Sequence, residues 1–170
     1  MQQEISLQMM TRALCHALYR EWENDPAMME HFVPYQYDEA AVDRYFDAKQ
    51  EPSRILFAIM KGKRPIGEMH LKWIDRERRE CTLSIHLQKD SVKGRGYGTQ
   101  AERLALRYAF DVLGMDRVKA DVLITNARSR HVLEKVGFQC IKEEKGFRYY
   151  QCERERFEKD GGTAEGRADL

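Results

Sequence analysis

The 170-residue sequence has almost no excess of either charge, with 29 Lys and Arg against 28 Asp and Glu. That balance removes the overall basic field on which non-specific nucleic-acid binding depends, and no basic tract restores one locally, so direct nucleic-acid binding is not expected. Long hydrophobic runs are missing as well. No stretch approaches the roughly 20 apolar residues needed to span a bilayer. The N-terminus MQQEISLQMMTRALCHALYREW has an acid at Glu4 and no basic segment leading into an apolar run, so it is no secretory signal. A cytoplasmic protein with no membrane partner is expected. Cysteine is sparse: Cys15, Cys81, Cys140 and Cys152 stand far apart with no C-x-x-C pair. Neither a metal site nor a dithiol centre is expected from them, and they read as small apolar packing residues.

What is present suffices for one folded domain. Apolar residues make up 42% of the chain and aromatics 10%, enough to bury a core and to exclude disorder of the whole chain. The domain is expected over residues 1–152. Residues 153–170 are charged, contain Gly161, Gly162 and Gly166, and read as a flexible tail.

The hydrophobic period divides the domain. A weak alternation from Ile5 to Thr11 predicts a strand, and Ala13, Leu14, Ala17, Leu18 and Trp22 recur at helical spacing up to Asp25-Pro26. Met28 to Tyr37 reads as an apolar and aromatic loop, and Asp38 is a plausible N-cap for a helix carrying Ala41, Val42, Tyr45 and Phe46. Strands are predicted over 55–60, 65–74 and 81–87 as an antiparallel meander. Helical spacing returns at Ala101, Leu104, Ala105, Tyr108, Ala109 and Val112, ending at Gly114. A strand over 117–124, a helix from the Asn126 cap to the Gly137 C-cap, and two strands around Lys145-Gly146 complete a mixed α/β order.

The most informative local feature is Lys93-Gly94-Arg95-Gly96-Tyr97-Gly98-Thr99, between a strand and the longest helix. Three alternating glycines clear side chains from a turn whose N–H groups can converge on an anion at the positive end of that helix. The spacing G-x-G-x-G is neither a Walker loop nor a dinucleotide fingerprint, and a phosphate cradle is the functional reading.

A second constellation lies on the hairpin centred on Glu77. Symmetric pairing sets Glu68 opposite His86, His70 opposite Ser84 and Lys72 opposite Thr82, with all six side chains on one face. Gly67, Met69, Leu71, Trp73, Cys81, Leu83, Ile85 and Leu87 take the other. A polar face in mid-sheet suggests a cleft, with Glu68 as first candidate for general base and His86 as its partner or substitute. Solvated cross-strand pairs are the alternative.

The run Lys93-x-x-Gly96-x-Gly98, the helix and strand after it, then Asn126-x-x-Ser129 and Leu133-Glu134-Lys135-Val136-Gly137-Phe138, resemble the GNAT superfamily of acetyl-CoA-dependent N-acetyltransferases. The spelling is most similar to the branch of Rim-type ribosomal-protein N-terminal acetyltransferases. The resemblance implies a mostly antiparallel central sheet of about six or seven strands, helices on both faces, and a splayed strand pair that holds CoA. It places the pyrophosphate on the backbone of Arg95 to Thr99, with Lys93 and Arg95 adding charge and Gly94, Gly96 and Gly98 clearing the way. Pantetheine would pass Leu87 and Gln88, with Asn126 along its arm and Ser129 near the sulfur, where Ser129 could assist catalysis. Leu133 stands where many family members carry a tyrosine that protonates the departing thiolate, so that role is unassigned.

The implied activity is direct acetyl transfer to a primary amine, either a protein N-terminus or a small amine, with acetyl-CoA as co-substrate. A non-catalytic acyl-CoA-binding module is the alternative reading. A ribosome-associated role finds no basic tract to support it. Glu30, Asp38, Glu39 and Asp43 around the second helix would suit a polycationic acceptor, and a homodimer through terminal strands is implied by similar proteins.

Overall fold

The structure is a computed structural model and describes residues 4–25 and 34–162. Seven strands form one sheet in the order β1-β2-β3-β4-β5-β7-β6. In chain order these are β1 (Ile5–Met9), β2 (Ile55–Lys61), β3 (Arg64–Asp75), β4 (Glu80–Leu87), β5 (Arg117–Leu123), β6 (Gln139–Glu144) and β7 (Phe147–Glu153). The helices are α1 (Arg12–Arg20), α2 (Glu39–Ala48), α3 (Tyr97–Arg107), α4 (Ala127–Val136) and the short α5 (Arg154–Phe157).

Alternation along the strands feeds two cores. Leu56, Ala58 and Met60 of β2 turn toward α1 and α2, where they meet Cys15, Leu18 and Val42. Phe57 and Ile59, with Met69, Leu71 and Leu83, turn to the other face and pack with Ala101, Ala105 and Leu106 of α3 and Leu133 and Val136 of α4. Capping fixes where the helices start: Thr11, Asp38 and Asn126 each accept a bond from the backbone N–H three residues on. This cap ends the first strand at Met9, two residues before the predicted limit, because Thr11 is committed to α1.

The hairpin of β3 and β4 pairs as predicted, with Glu68 opposite His86, His70 opposite Ser84 and Lys72 opposite Thr82. Beyond Lys72 the register shifts. Trp73 takes a φ of 52° there and is 60% exposed, so it leaves the apolar face on which simple alternation put it.

A second difference lies at the end of the domain. The sequence from Glu153 was expected to be a flexible tail, but β7 reaches Glu153 and α5 follows it. Phe157 is buried against Phe110 with ring centroids 5.5 Å apart, and Arg154 donates to the carbonyl of Met115 through Nη2 at 2.8 Å. One ring and one guanidinium anchor a segment whose composition reads as solvated; residues 163–170 of the expected tail lie outside the described residues.

The feature that positions the site is the junction of β4 and β5. It is the parallel pairing in the sheet and joins only Glu80, Cys81 and Thr82 to Arg117, Val118 and Lys119. Past this point β4 stays paired with β3 up to Leu87, while β5 stays paired with β7 up to Leu123. The two strands therefore part and leave a gap in mid-sheet.

Candidate functional site

A cavity of about 330 Å³ opens beside this gap, within the range of small-molecule sites. Ile85, His86 and Leu87 line it from β4, Lys93, Gly98 and Glu102 from the glycine turn and α3, and Asn126, Arg128, Ser129 and Val132 from the start of α4. Trp22, Glu23, Asn24 and Asp25, which follow α1, close one side. Two helix N-termini thus open on one cavity. Gly94 and Gly96 have φ values of 68° and 79°, a backbone that L side chains rarely adopt. Gly96 caps α3 without a side chain, so the N–H groups of Tyr97, Gly98 and Thr99, which no intrahelical carbonyl reaches, are available to an anion. Lys93 stands beside them with Nζ 2.8 Å from Asp25 and 3.1 Å from Asp90.

The other residues singled out in the sequence divide. Asn126 and Ser129 line the cavity, while the Asn126 carboxamide also accepts the Ser129 N–H at 3.1 Å, so cap and lining role coexist. Leu87 lines it too. Gln88 is buried, donates through Nε2 to the Leu18 carbonyl at 2.6 Å, tying the end of β4 to α1, and is not among the residues that line the cavity. Tyr97 is buried with its hydroxyl bonded to Lys61, Thr99 is buried, and Arg95 donates to the Ser91 carbonyl at 2.9 Å. Neither Tyr97 nor Thr99 is among the residues that line the cavity.

On the α1 and α2 face, the polar side of the hairpin is mostly covered. Glu68 is 2% exposed, beneath Tyr45, whose hydroxyl donates to Oε1 at 2.7 Å. His70 Nε2 lies 3.2 Å and His86 Nδ1 3.5 Å from the same oxygen. Burial alone would raise the Glu68 pKa; the hydrogen bonds of His70, His86 and Tyr45 overcome that and hold the carboxyl down to about 2. A carboxylate so stabilised is a weak base, and Glu68 is not among the residues that line this cavity. His86, a residue of the cavity lining whose side chain is 54% exposed, is the member of this group open to solvent.

Arg54 settles how the group is wired. Its Nη1 is 3.1 Å from His70 Nδ1, and a guanidinium only donates, so Nδ1 accepts and the neutral ring carries its proton on Nε2, toward Glu68. Glu68, His70 and His86 also have the residue types of a cation site, with one ligand atom from each within 4.8 Å of the others. Arg54 opposes that use. A metal on His70 Nε2 would need the proton on Nδ1, and a ligating histidine gives that proton to an acceptor, not to a guanidinium.

Two cavity groups escaped the sequence reading. The segment after α1 carried no motif. Glu102 sits one helical turn past Gly98, and that spacing was its one available signal. It is 1% exposed, Oε2 has no hydrogen-bond partner among the described residues, and burial pushes its pKa up to about 8.

Residues 5–139 match the family model described as an acetyltransferase (GNAT) domain. The protein named "Probable N-acetyltransferase YjcK" of Bacillus subtilis (strain 168) is 36% identical over 75 residues, which span 44% of this chain and 41% of that protein. A candidate acetyltransferase from T. thermophilus superposes with a TM-score of 0.74 at 25% identity, over 96% of this chain and 92% of that one. The spermidine N-acetyltransferase of Vibrio cholerae, in complex with CoA and spermine, gives a TM-score of 0.74 at 17% identity over 92% of this chain and 99% of that one, a likeness of fold. With a family model covering most of its length and the splayed β4–β5 pair in place, the chain belongs to the GNAT acetyltransferase family.

Proposed function

We propose that the protein is an acetyl-CoA-dependent N-acetyltransferase that acts on a primary amine. The observation that carries this reading is the cavity beside the place where β4 and β5 part, which brings together the N-terminus of α3, Lys93, Asn126, Ser129 and His86. The residues suit the co-substrate: a left-handed glycine turn and a cation for its phosphates, and a channel between strands for its arm. Acetyl-CoA supplies an activated acyl group and a thiol as leaving group. The chain itself supplies a proton acceptor at His86 for the amine, oriented by Glu68, which is in turn fixed by Tyr45 and the Arg54–His70 pair. Glu68, first candidate from sequence for the base, acts in this proposal through His86. Transfer is direct, since Cys15, Cys81 and Cys152 are buried and none of them, nor Cys140, lines the cavity.

The acceptor is proposed only as a primary amine, from a protein N-terminus or a small molecule. The acidic group expected to attract a polycation is largely engaged: Asp38 caps α2, Asp43 pairs with Arg12 at 2.8 Å and His16 at 2.9 Å, and Glu30 lies outside the described residues. Assignment to the Rim-type branch rests on the spelling around Asn126 to Phe138. Self-association through terminal strands is supported by β6, an edge strand exposed along its whole length.

Calorimetric titration with acetyl-CoA is the direct test, paired with Gly98→Glu. Gly98 is helical, and a methyl group there would meet Ile85 and Leu87 at ordinary contact distances of 3.9 and 4.0 Å, so the substitution probes the cavity without straining the turn. Micromolar binding by the wild type, weakened at least about 100-fold in the variant by charge repulsion and steric filling, is expected. Thiol release across a panel of N-terminal peptides, spermidine and simple amines then identifies the acceptor class. Absence of binding by the wild type overturns the reading; binding without thiol release for any amine makes the protein the non-catalytic module.

A further inference from the structure

His86 can take a proton on one side of the gap, and the departing sulfur must gain one on the other. Glu102 is placed to give it. Gly98 faces Ile85 and Leu87 on the α3 side of β4, and Glu102 lies one turn farther along the same side of α3, lining the cavity with Ser129 and Val132. His86 leaves β4 from the opposite face, beside Glu68. The two ionisable groups therefore approach the gap from the two faces of the sheet.

The surroundings keep Glu102 unionised. The sheet residues under α3, among them Met69, Leu71, Leu83, Ile85 and Leu87, are apolar. Besides Glu102, the ionisable residues that line the cavity are Glu23 and Asp25 after α1, His86 on β4, Lys93 in the turn and Arg128 on α4. Lys93 is held by Asp25 and Asp90, and Arg128 lies 3.9 Å from Asp90. Among the described residues no charge offsets the burial of Glu102, and its Oε2 has no partner.

We propose that protonated Glu102 is the acid that delivers a proton to the CoA sulfur as the acetyl group is transferred, an assignment that rests on the acetyl-CoA reading of the cavity. The amine nitrogen forms a bond to the acetyl carbon and the carbon–sulfur bond breaks, with its electron pair going to sulfur. The amine loses a proton to His86, the sulfur gains the Glu102 proton, and the Glu102 carboxylate is reprotonated from solvent after CoA leaves. Because a carboxylate buried there is costly, Glu102 returns readily to its acid form.

The test is Glu102→Gln, which keeps the size and polarity and lacks the acidic proton. We expect kcat to fall at least about 100-fold, while the acetyl-CoA KM and the dissociation constant from titration stay within about threefold. The fall of wild-type kcat on the alkaline side, where Glu102 ionises, should disappear in this variant and persist in Glu102→Asp. A wild-type rate with an intact alkaline limb in Glu102→Gln overturns the assignment. So does a loss confined to acetyl-CoA affinity, which makes Glu102 a binding group. Titration of the wild type is read first and by itself: no acetyl-CoA binding there defeats the cavity reading, and this proposal with it.

Discussion

Glu68 and Glu102 are two carboxyls of nearly equal burial, at 2% and 1% exposure, on opposite faces of one sheet, and they meet opposite electrostatic fates. Glu68 receives a tyrosine hydroxyl and faces two histidines, and its pKa is held down to about 2. Each carboxyl keeps an Oε2 without a partner among the described residues, but on Glu102 burial acts alone, and its pKa is pushed up to about 8. Burial penalises charge at both places; hydrogen-bond donors overcome the penalty at one, and among the described residues nothing offsets it at the other. The difference suits one carboxyl to hold a histidine in place and the other to carry a proton.

Three variants test that contrast. Glu68→Leu should have the largest effect, destabilising the fold by about 3–5 kcal/mol at pH 7, because Tyr45 and His70 lose a buried acceptor. In the wild type the Glu68 contribution is fully present above its unfolded pKa near 4.5 and is lost as pH falls through about 2. Urea unfolding between pH 7 and pH 2 should show this slope and find it absent in the variant; parallel curves would mean that Glu68 is not stabilised by its donors.

Glu102→Leu should shift stability the other way. The raised pKa of Glu102 means that the folded state holds a proton the unfolded state releases above about 4.5, so wild-type stability falls as pH rises from there toward 8. The variant should be more stable by about 4 kcal/mol at pH 8, with the gap closing toward pH 4.5, and far less active. A pH-independent difference would show that Glu102 does not titrate in this range.

The smallest effect is expected for Arg54→Met. Without the guanidinium, His70 is free to move its proton to Nδ1, and about 1 kcal/mol of stability is lost with the hydrogen bond. Nitrogen chemical shifts should report a changed tautomer for His70. Zinc should bind the variant more tightly than the wild type, since Nε2 becomes available for ligation. Equal zinc affinity in the two proteins would show that Arg54 does not decide between relay and metal site.

Much of this contrast was legible in the sequence where local rules act. Period two and a short turn gave the Glu68–His86 pairing, because hairpin register follows from alternation and loop length. Trp73 broke the same rule, since the shift beyond Lys72 comes from how the far end of the hairpin twists, which no alternation encodes. Phe157 looked like part of a charged tail until its packing on Phe110 appeared. Glu68 read as a base opening on a cleft because facing can be read from sequence, whereas the covering of that face by Tyr45 cannot.

The sequence by itself determined the element order, the helix caps, the left-handed glycine turn and the family, since each depends on residues close together in the chain or on a matching motif. Tertiary structure alone decided where β4 and β5 part, which cation meets which acid, and which buried carboxyl has donors around it. Desolvation and hydrogen bonding depend on the groups a side chain meets in space: Glu68 is fixed from α2 and two strands, Glu102 from α3 and the sheet beneath it, and no spacing along 170 residues specifies either set of neighbours.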